Sequence, residues 1–393
     1  LFFLVRASDE EKQLSLITEK IKELQKREKE IQIAVLYRNN LSSLALTDRL
    51  DREGIAFKIR QNRLYFFQHW LVLDILAFLK FSLDPFDMES FLRICFKMNR
   101  YISKSMMENA VNYGNTAGNN TGPGSRLPVI ERILKSNELE PYQYAKLHGL
   151  VKEFKRLSGM RPYRALQYID EDFKYFGYVR DYCDYTGLSI DYLYGLFGIL
   201  KTLSSPCRTN RAFLERLEEL SGKFEGTSPF GREHTAHDGN LPQVTLTTLH
   251  SSKGLEFDAV FMIDLTNAEI PGEKALGKLD KDGDGSLIEE ERRLFYVGMT
   301  RARTRLYLVS PESVNDIQVP RSTFVNEVAA ILNGKMTDQI KEGAFIVHKK
   351  YGRGVIASVE AGSGRTVIEV DFSGLMRKLD LEVCLENRII SFQ

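Results

Sequence analysis

No charge excess, no long apolar run and no cysteine pattern mark this 393-residue sequence. Its 54 Lys and Arg against 53 Asp and Glu leave a formal net charge of +1. No global basic field therefore points to nucleic acid, and any such contact has to come from a local groove. Cys95, Cys183, Cys207 and Cys384 are scattered without a CxxC pair. That argues against a zinc site or a disulfide framework and fits a reducing, cytoplasmic setting. No stretch approaches the ~20 apolar residues of a membrane span. The apolar start is short, lacks a basic flank and runs into Asp9-Glu10-Glu11, so it reads as an interior strand and not as a signal peptide. Without an initiating Met, the sequence is expected to be a piece of something longer. Also absent are G-x-x-x-x-G-K-[ST] and an Asp-Glu pair after a buried strand, the parts that cradle nucleotide phosphates and hold Mg²⁺.

What is present divides by periodicity. Residues 1–64 alternate in the α/β manner: a strand at Phe2–Val5, a helix at Glu10–Gln32 with Leu14, Ile17, Ile21 and Leu24 at 3–4 spacing, a buried-type strand at Ile33–Tyr37, a helix at Ser42–Arg52 and a strand at Ala56–Ile59. Residues 65–222 read as helix after helix, interrupted by a Gly- and Asn-rich stretch at Asn112–Arg126 that reads as a surface loop. A polar connector opens the span 223–310, which then returns to α/β: strands at Val244–Thr248 and Ala259–Ile263, a helix at Ile288–Ala302 and a strand at Thr304–Val309. This bracketing predicts an all-helical domain inserted into one parallel α/β domain. Residues 311–342 read as a linker. Five short strands with Gly turns over 343–393 predict a small all-β barrel.

Two stretches carry chemistry. Thr247-Thr248-Leu249-His250-Ser251-Ser252-Lys253-Gly254-Leu255-Glu256-Phe257 follows a strand, and its hydroxyls, imidazole, ammonium and exposed N–H groups can grip phosphates. The bland alternative is a solvated polar turn. Glu289-Glu290-Glu291-Arg292-Arg293-Leu294-Phe295-Tyr296-Val297-Gly298-Met299-Thr300-Arg301-Ala302-Arg303 is acidic where a helix begins and basic where it ends. An ordinary amphipathic helix would look the same.

Together, in that order, the two stretches resemble motifs V and VI of the UvrD/PcrA/Rep helicases of superfamily 1. Ile33–Leu50 resembles motif IV, and Arg63–Leu79 resembles the crossing into that family's helical insertion. The resemblance implies a RecA-like second motor domain with a helical insertion, followed by a Tudor-like tail closest to PcrA. It implies that Arg301 is an arginine finger and Arg38 a second γ-phosphate sensor, with Tyr37 stacking beside adenine and Glu256 accepting from the ribose. Thr248, His250 and Lys253 would contact single-stranded DNA. ATP and Mg²⁺ would be held mainly by a first motor domain, leaving this chain inactive alone. The implied partners are single-stranded DNA and the single-strand/duplex junction, on a monomer working 3′→5′ in DNA repair, with RNA polymerase as a partner of the tail. A non-catalytic adaptor binding DNA or RNA polymerase is the alternative.

Two features depart from that pattern. The family's Gly-Ile-Gly hairpin corresponds here to Lys97–Lys104, which has neither glycine. Close backbone approach to duplex is harder there, though Lys97, Arg100 and Lys104 could attract DNA electrostatically. Asp280–Glu291 fits the EF-hand loop pattern, with acids at positions 1, 3 and 5, Gly at 6 and Glu at 12. No metal ligand is assigned. Ca²⁺ at this loop and a plain acidic surface loop both stay open, because Pro271 and Gly272 make a poor incoming helix.

Overall fold

The computed structural model describes residues 1–60, 65–98, 100, 102–117, 127–225, 244–337, 341–362, 365–386 and 389–392. The expected surface loop falls partly outside them; its first residues, 112–117, continue a helix. Contacts divide the chain into two units, 1–2 with 6–264 and 296–318, and 3–5 with 265–295 and 319–393.

The first unit is built on a parallel sheet. Its strands are β1 (Phe2–Ala7), β2 (Ile33–Tyr37), β3 (Phe57–Arg60), β4 (Val244–Thr248), β5 (Phe257–Met262) and β6 (Ala302–Pro311), in the order β1-β6-β5-β2-β4-β3. Every residue of β2 is buried, as expected of a strand covered on both faces. Helices α1 (Glu10–Arg27) and α2 (Ser42–Arg52) complete this layer. Asp9 starts α1 by accepting from the Lys12 amide at 2.7 Å, and Leu14, Ile17, Ile21 and Leu24 form its buried stripe.

β3 and β4 are sheet neighbours with Phe57 opposite Val244. Between them, the described residues form only helices: α3 (Trp70–Leu83), α4 (Met88–Ile94), α5 (Lys104–Ala117), α6 (Val129–Ser136), α7 (Pro141–Ser158), α8 (Pro162–Glu171), α9 (Tyr175–Thr186), α10 (Ile190–Ser204) and α11 (Asn210–Glu225). Their core is aromatic: Phe78, Phe81, Phe91, Phe154 and Phe173 pack ring on ring at 4.6–6.4 Å. Within it, the fully buried Asp74 is paired with Arg93 at 2.8 Å and Lys97 at 2.6 Å and accepts from the Tyr175 hydroxyl at 2.7 Å. Arg100 pairs with Glu153 at 2.9 Å and donates to the Asp172 carbonyl. Lys97 and Arg100, expected to draw DNA, are therefore turned onto their own fold. α11 is joined to α2 by Arg216, paired with Asp48 at 2.6 Å and Asp51 at 2.7 Å, and by Lys223, also on Asp51. A hairpin of β7 (Ser313–Val314) and β8 (Ile317–Gln318) closes the unit.

The second unit contains α12 (Glu273–Asp282), the start of α13 (Ser286–Met299), α14 (Thr323–Thr337), α15 (Leu381–Glu386) and strands β9 (Phe345–His348), β10 (Gly352–Gly362), β11 (Arg365–Asp371), β12 (Met376–Asp380) and β13 (Ile390–Phe392). α14 lies inside the stretch expected to be linker; Phe324 packs against Phe295 at 5.5 Å, and Arg292 sits over the Phe324 ring. The five strands form one antiparallel sheet in the order β12-β11-β10-β9-β13. Ile346, Ile356, Ile368, Val370, Phe372, Leu381, Cys384 and Ile390 make its core.

The calcium-loop pattern is overridden here. α12 starts right after Gly272 and runs through pattern positions 1–3, and α13 begins at position 7. Only Gly283, Asp284 and Gly285 separate the two helices. Asp284 is held by Lys278 at 2.6 Å and caps α13 by accepting from the Ser286 amide. Those hydrogen bonds hold its carboxyl below the usual range. Among the described residues, no three His, Cys, Asp or Glu side chains gather as an ion would require.

Candidate functional site

The site residues fall at two levels of the parallel sheet. Tyr37 is opposite Thr248 at the carboxyl ends of β2 and β4, and the Leu249 amide donates to the Tyr37 carbonyl at 2.9 Å. Beyond them the chain turns sharply. Thr248 Oγ1 accepts from the Ser251 amide at 3.1 Å and donates to its hydroxyl at 3.0 Å. Ser252 Oγ donates to the Leu249 carbonyl at 2.6 Å, and Gly254 supplies a positive φ of 82°. His250 and Lys253 are left exposed on this turn. Arg38 follows β2 at the same level.

The other level lies at the amino ends of β5 and β6. The Phe257 amide donates to the Arg301 carbonyl at 2.9 Å, with Phe257 opposite Ala302. The half-buried Arg301 guanidinium donates from Nε to the Val297 carbonyl at 2.8 Å, from Nη1 to the Leu255 carbonyl at 3.0 Å and from Nη2 to Thr300 Oγ1 at 2.9 Å. A guanidinium has five N–H groups. One on each terminal nitrogen thus stays uncommitted among the described residues, in the fork geometry that suits a phosphate. Glu256, paired with Arg303 at 3.1 Å, directly precedes β5 at the same level. Gly298 binds the levels together: a Cβ there would lie 2.5 Å from Leu249 Cδ2 and 3.0 Å from Met262 Cε.

The register thus joins Arg301 with Glu256, and Tyr37 and Arg38 with Thr248 and His250. It does not join the two sets. Since Ala259 is opposite both Ile33 and Arg305, Arg38 follows the carboxyl end of β2 whereas Arg301 precedes the amino end of β6. The two expected γ-phosphate sensors thus stand at different levels of the sheet. Tyr37 also departs from expectation. It is 0 % exposed, and burial holds its hydroxyl well above the usual tyrosine range despite a hydrogen bond with Ser43. Enclosed in this way, the ring offers no face to adenine.

Residues 2–118 and 227–313, just over half of the sequence, match the model of the UvrD-like helicase C-terminal domain. The chain belongs to that family. Its relatives include the ATP-dependent DNA helicase PcrA of Bacillus subtilis, 26% identical over 86% of this chain and 50% of the relative. The ATP-dependent DNA helicase Rep of Buchnera aphidicola is 26% identical over 70% and 41%. The ATP-dependent DNA helicase UvrD1 of Mycobacterium bovis is 29% identical over 75% and 39%. The chain thus spans half or less of the UvrD-like relatives it matches.

Three site features escaped the sequence reading. Arg303 pairs with Glu256, and its place two residues after Arg301 was the available signal. The Leu255 carbonyl, which aims the Arg301 guanidinium, carries no side-chain signature. Asp264 follows β5 with a positive φ of 55° and accepts from Gln13 Nε2 at 2.5 Å. Burial raises its carboxyl above the ordinary value.

Proposed function

We propose that this chain is the second motor half of an ATP-dependent DNA translocase that senses nucleotide bound on a partner motor domain and grips single-stranded DNA. The observation that carries the reading is the clasp at the amino ends of β5 and β6. There, three of its own oxygens hold the Arg301 guanidinium with two N–H groups to spare, and Glu256, paired with Arg303, directly precedes β5 at the same level. A planar cation positioned before reaction stabilises charge developing on a transferred phosphoryl group, and a carboxylate suits ribose hydroxyls. ATP would supply the phosphoanhydride to be broken. This motif set offers Mg²⁺ no carboxylate pair, so we assign the metal to the partner domain. The 393-residue chain alone is then inactive as an ATPase.

We assign the Thr248–Lys253 turn, with exposed His250 and Lys253, to the DNA backbone. Arg38 stands at that level of the sheet, and we place it with the strand-gripping set. Travel from 3′ to 5′ and a role in DNA repair rest on the resemblance to UvrD, PcrA and Rep. Residues 1–64 and 223–310 would be the motor domain, 65–222 its insertion, 311–342 the connection and 343–393 a Tudor-like tail. An RNA polymerase contact by that tail would use its basic-aromatic edge, where Lys350 and Arg377 lie over Tyr351 and Arg353 over Phe345.

The test is Arg301→Ala in the natural full-length protein, read by DNA-stimulated ATP hydrolysis and separately by single-stranded DNA binding. We expect kcat to fall about 10³-fold or more while DNA affinity stays within a factor of two or so, the complement of His250→Ala. Hydrolysis within tenfold of wild type would overturn the assignment.

A further inference from the structure

An aromatic ladder crosses the surface of the helical part, away from both sets of motif residues in sequence. It begins at Tyr178 on α9 and continues to Tyr182 at 6.3 Å between ring centroids, then to Trp70 at 5.0 Å, the first residue of α3. From Trp70 it passes to His69 at 5.6 Å and on to Tyr192 on α10 at 5.9 Å. Tyr185, one turn beyond Tyr182, is 90% exposed, Tyr192 50% and Leu188 46%. Burying such rings is a main source of binding energy, and tyrosine and tryptophan are enriched where proteins dock.

The segment that carries the exposed end of this ladder is acidic. The segment Asp181-Tyr182-Cys183-Asp184-Tyr185-Thr186-Gly187-Leu188-Ser189-Ile190-Asp191-Tyr192 holds three aspartates and no Lys or Arg. All three aspartates are exposed, and none has an ion-pair partner among the described residues. Asp191 is accounted for, because it sits in the first turn of α10, where a helix favours negative charge. Asp181 and Asp184 are not. They stand near the carboxyl end of α9, which has no basic residue in its last turn, and negative charge there opposes the helix dipole. Of the nearby cations, Lys97 over Tyr178 and Arg93 at the Trp70 carbonyl are both paired with the buried Asp74, while the exposed Arg180 donates from Nε to the Phe176 carbonyl.

We propose that this face is a docking surface for an arginine- or lysine-rich segment of a partner protein. Guanidinium and ammonium groups would sit over the tyrosine and tryptophan faces, a favourable cation–π arrangement, and pair with Asp181, Asp184 and Asp191. A nucleic-acid strand could stack on the rings, but its phosphates would meet three unpaired carboxylates. The charge selects the cationic occupant.

Trp70 is the only tryptophan of the chain, so its fluorescence reports on the ladder directly. The probe is an octa-arginine peptide titrated into the 393-residue chain, with octa-glutamate and a single-stranded thymidine oligonucleotide as comparisons. We expect a saturable change in Trp70 emission with octa-arginine alone. It should weaken as salt is raised through the range where the Debye length falls below ~8 Å. Tyr185→Ala and Asp184→Asn should each lower the affinity roughly three- to tenfold. Both side chains are exposed, so circular dichroism and unfolding midpoints should not move. The proposal fails if octa-arginine leaves Trp70 unchanged or binds both variants as tightly as wild type. It fails equally if the oligonucleotide changes Trp70 emission as strongly and loses that effect in Tyr185→Ala, which would make this a nucleic-acid surface.

Discussion

Replacing Arg216 by Met probes the seam between α2 and α11, and its cost can be worked from the geometry. Arg216 is 12% exposed and Asp48 7%, with Nε 2.6 Å from Asp48 Oδ1 and Nη1 2.7 Å from Asp51 Oδ2. At an effective dielectric of about 20, the closer pair alone is attracted by roughly 6 kcal/mol before desolvation is subtracted. Breaking a buried pair by removing one partner costs about 3–5 kcal/mol, because the other charge is left in low dielectric. Here neither carboxylate is stranded, since Asp48 keeps Arg52 at 2.8 Å and Asp51 keeps Lys223. Methionine also preserves the apolar stem contact. The expected loss is therefore about 2–3 kcal/mol, or roughly 4–12 °C in Tm for a unit of this size. Urea unfolding followed through Trp70 should show a lower midpoint with unchanged slope. A double-mutant cycle with Asp48→Asn should return a coupling of about 1–3 kcal/mol. A pH series adds a check of sign. Burial pushes the Asp51 carboxyl up, but hydrogen bonds from Lys223 and Arg216 outweigh it and hold the folded value low. That contribution is present above the unfolded value and is lost as pH falls through the folded one. A Met variant within about 0.5 kcal/mol of wild type, or a cycle with no coupling, would refute the reasoning.

Two further outcomes are expected. Burial, with Asp264, Asp9 and Asp316 nearby, raises the Glu10 carboxyl above its ordinary value, against the opposing hydrogen bond from the Asn315 amide at 3.0 Å. Its contribution to stability is complete below the unfolded value of about 4.3 and is lost as pH rises through the raised folded value. Glu10→Gln should thus unfold at a higher midpoint than wild type at pH 7.5 and lose that advantage near pH 3.5; a lower midpoint at pH 7.5 would contradict the burial argument. Because α12 and α13 absorb most of the calcium-loop pattern and Lys278 holds Asp284, calorimetric titration with millimolar Ca²⁺ should give no heat beyond dilution. A saturable heat that Asp280→Asn abolishes would show that the helices yield to the ion.

The local elements of this protein were legible in its residues because each depends on near neighbours. The 3–4 spacing of Leu14, Ile17, Ile21 and Leu24 makes α1, the unbroken apolar run Ile33–Tyr37 makes a strand covered on both faces, and Gly-punctuated alternation makes the tail's strands. The order of the motif turns was enough to mark the family. Tertiary structure decided what depends on distant partners. It put β3 beside β4 across the helical segment and set Arg38 and Arg301 at different levels of the sheet. It also enclosed Tyr37, turned Lys97 and Arg100 onto Asp74 and Glu153, and drew helix through residues whose pattern matched an ion-binding loop. The division has a plain physical reason. Periodicity and capping act within a few residues, whereas burial and charge pairing are set by whatever the completed fold brings alongside.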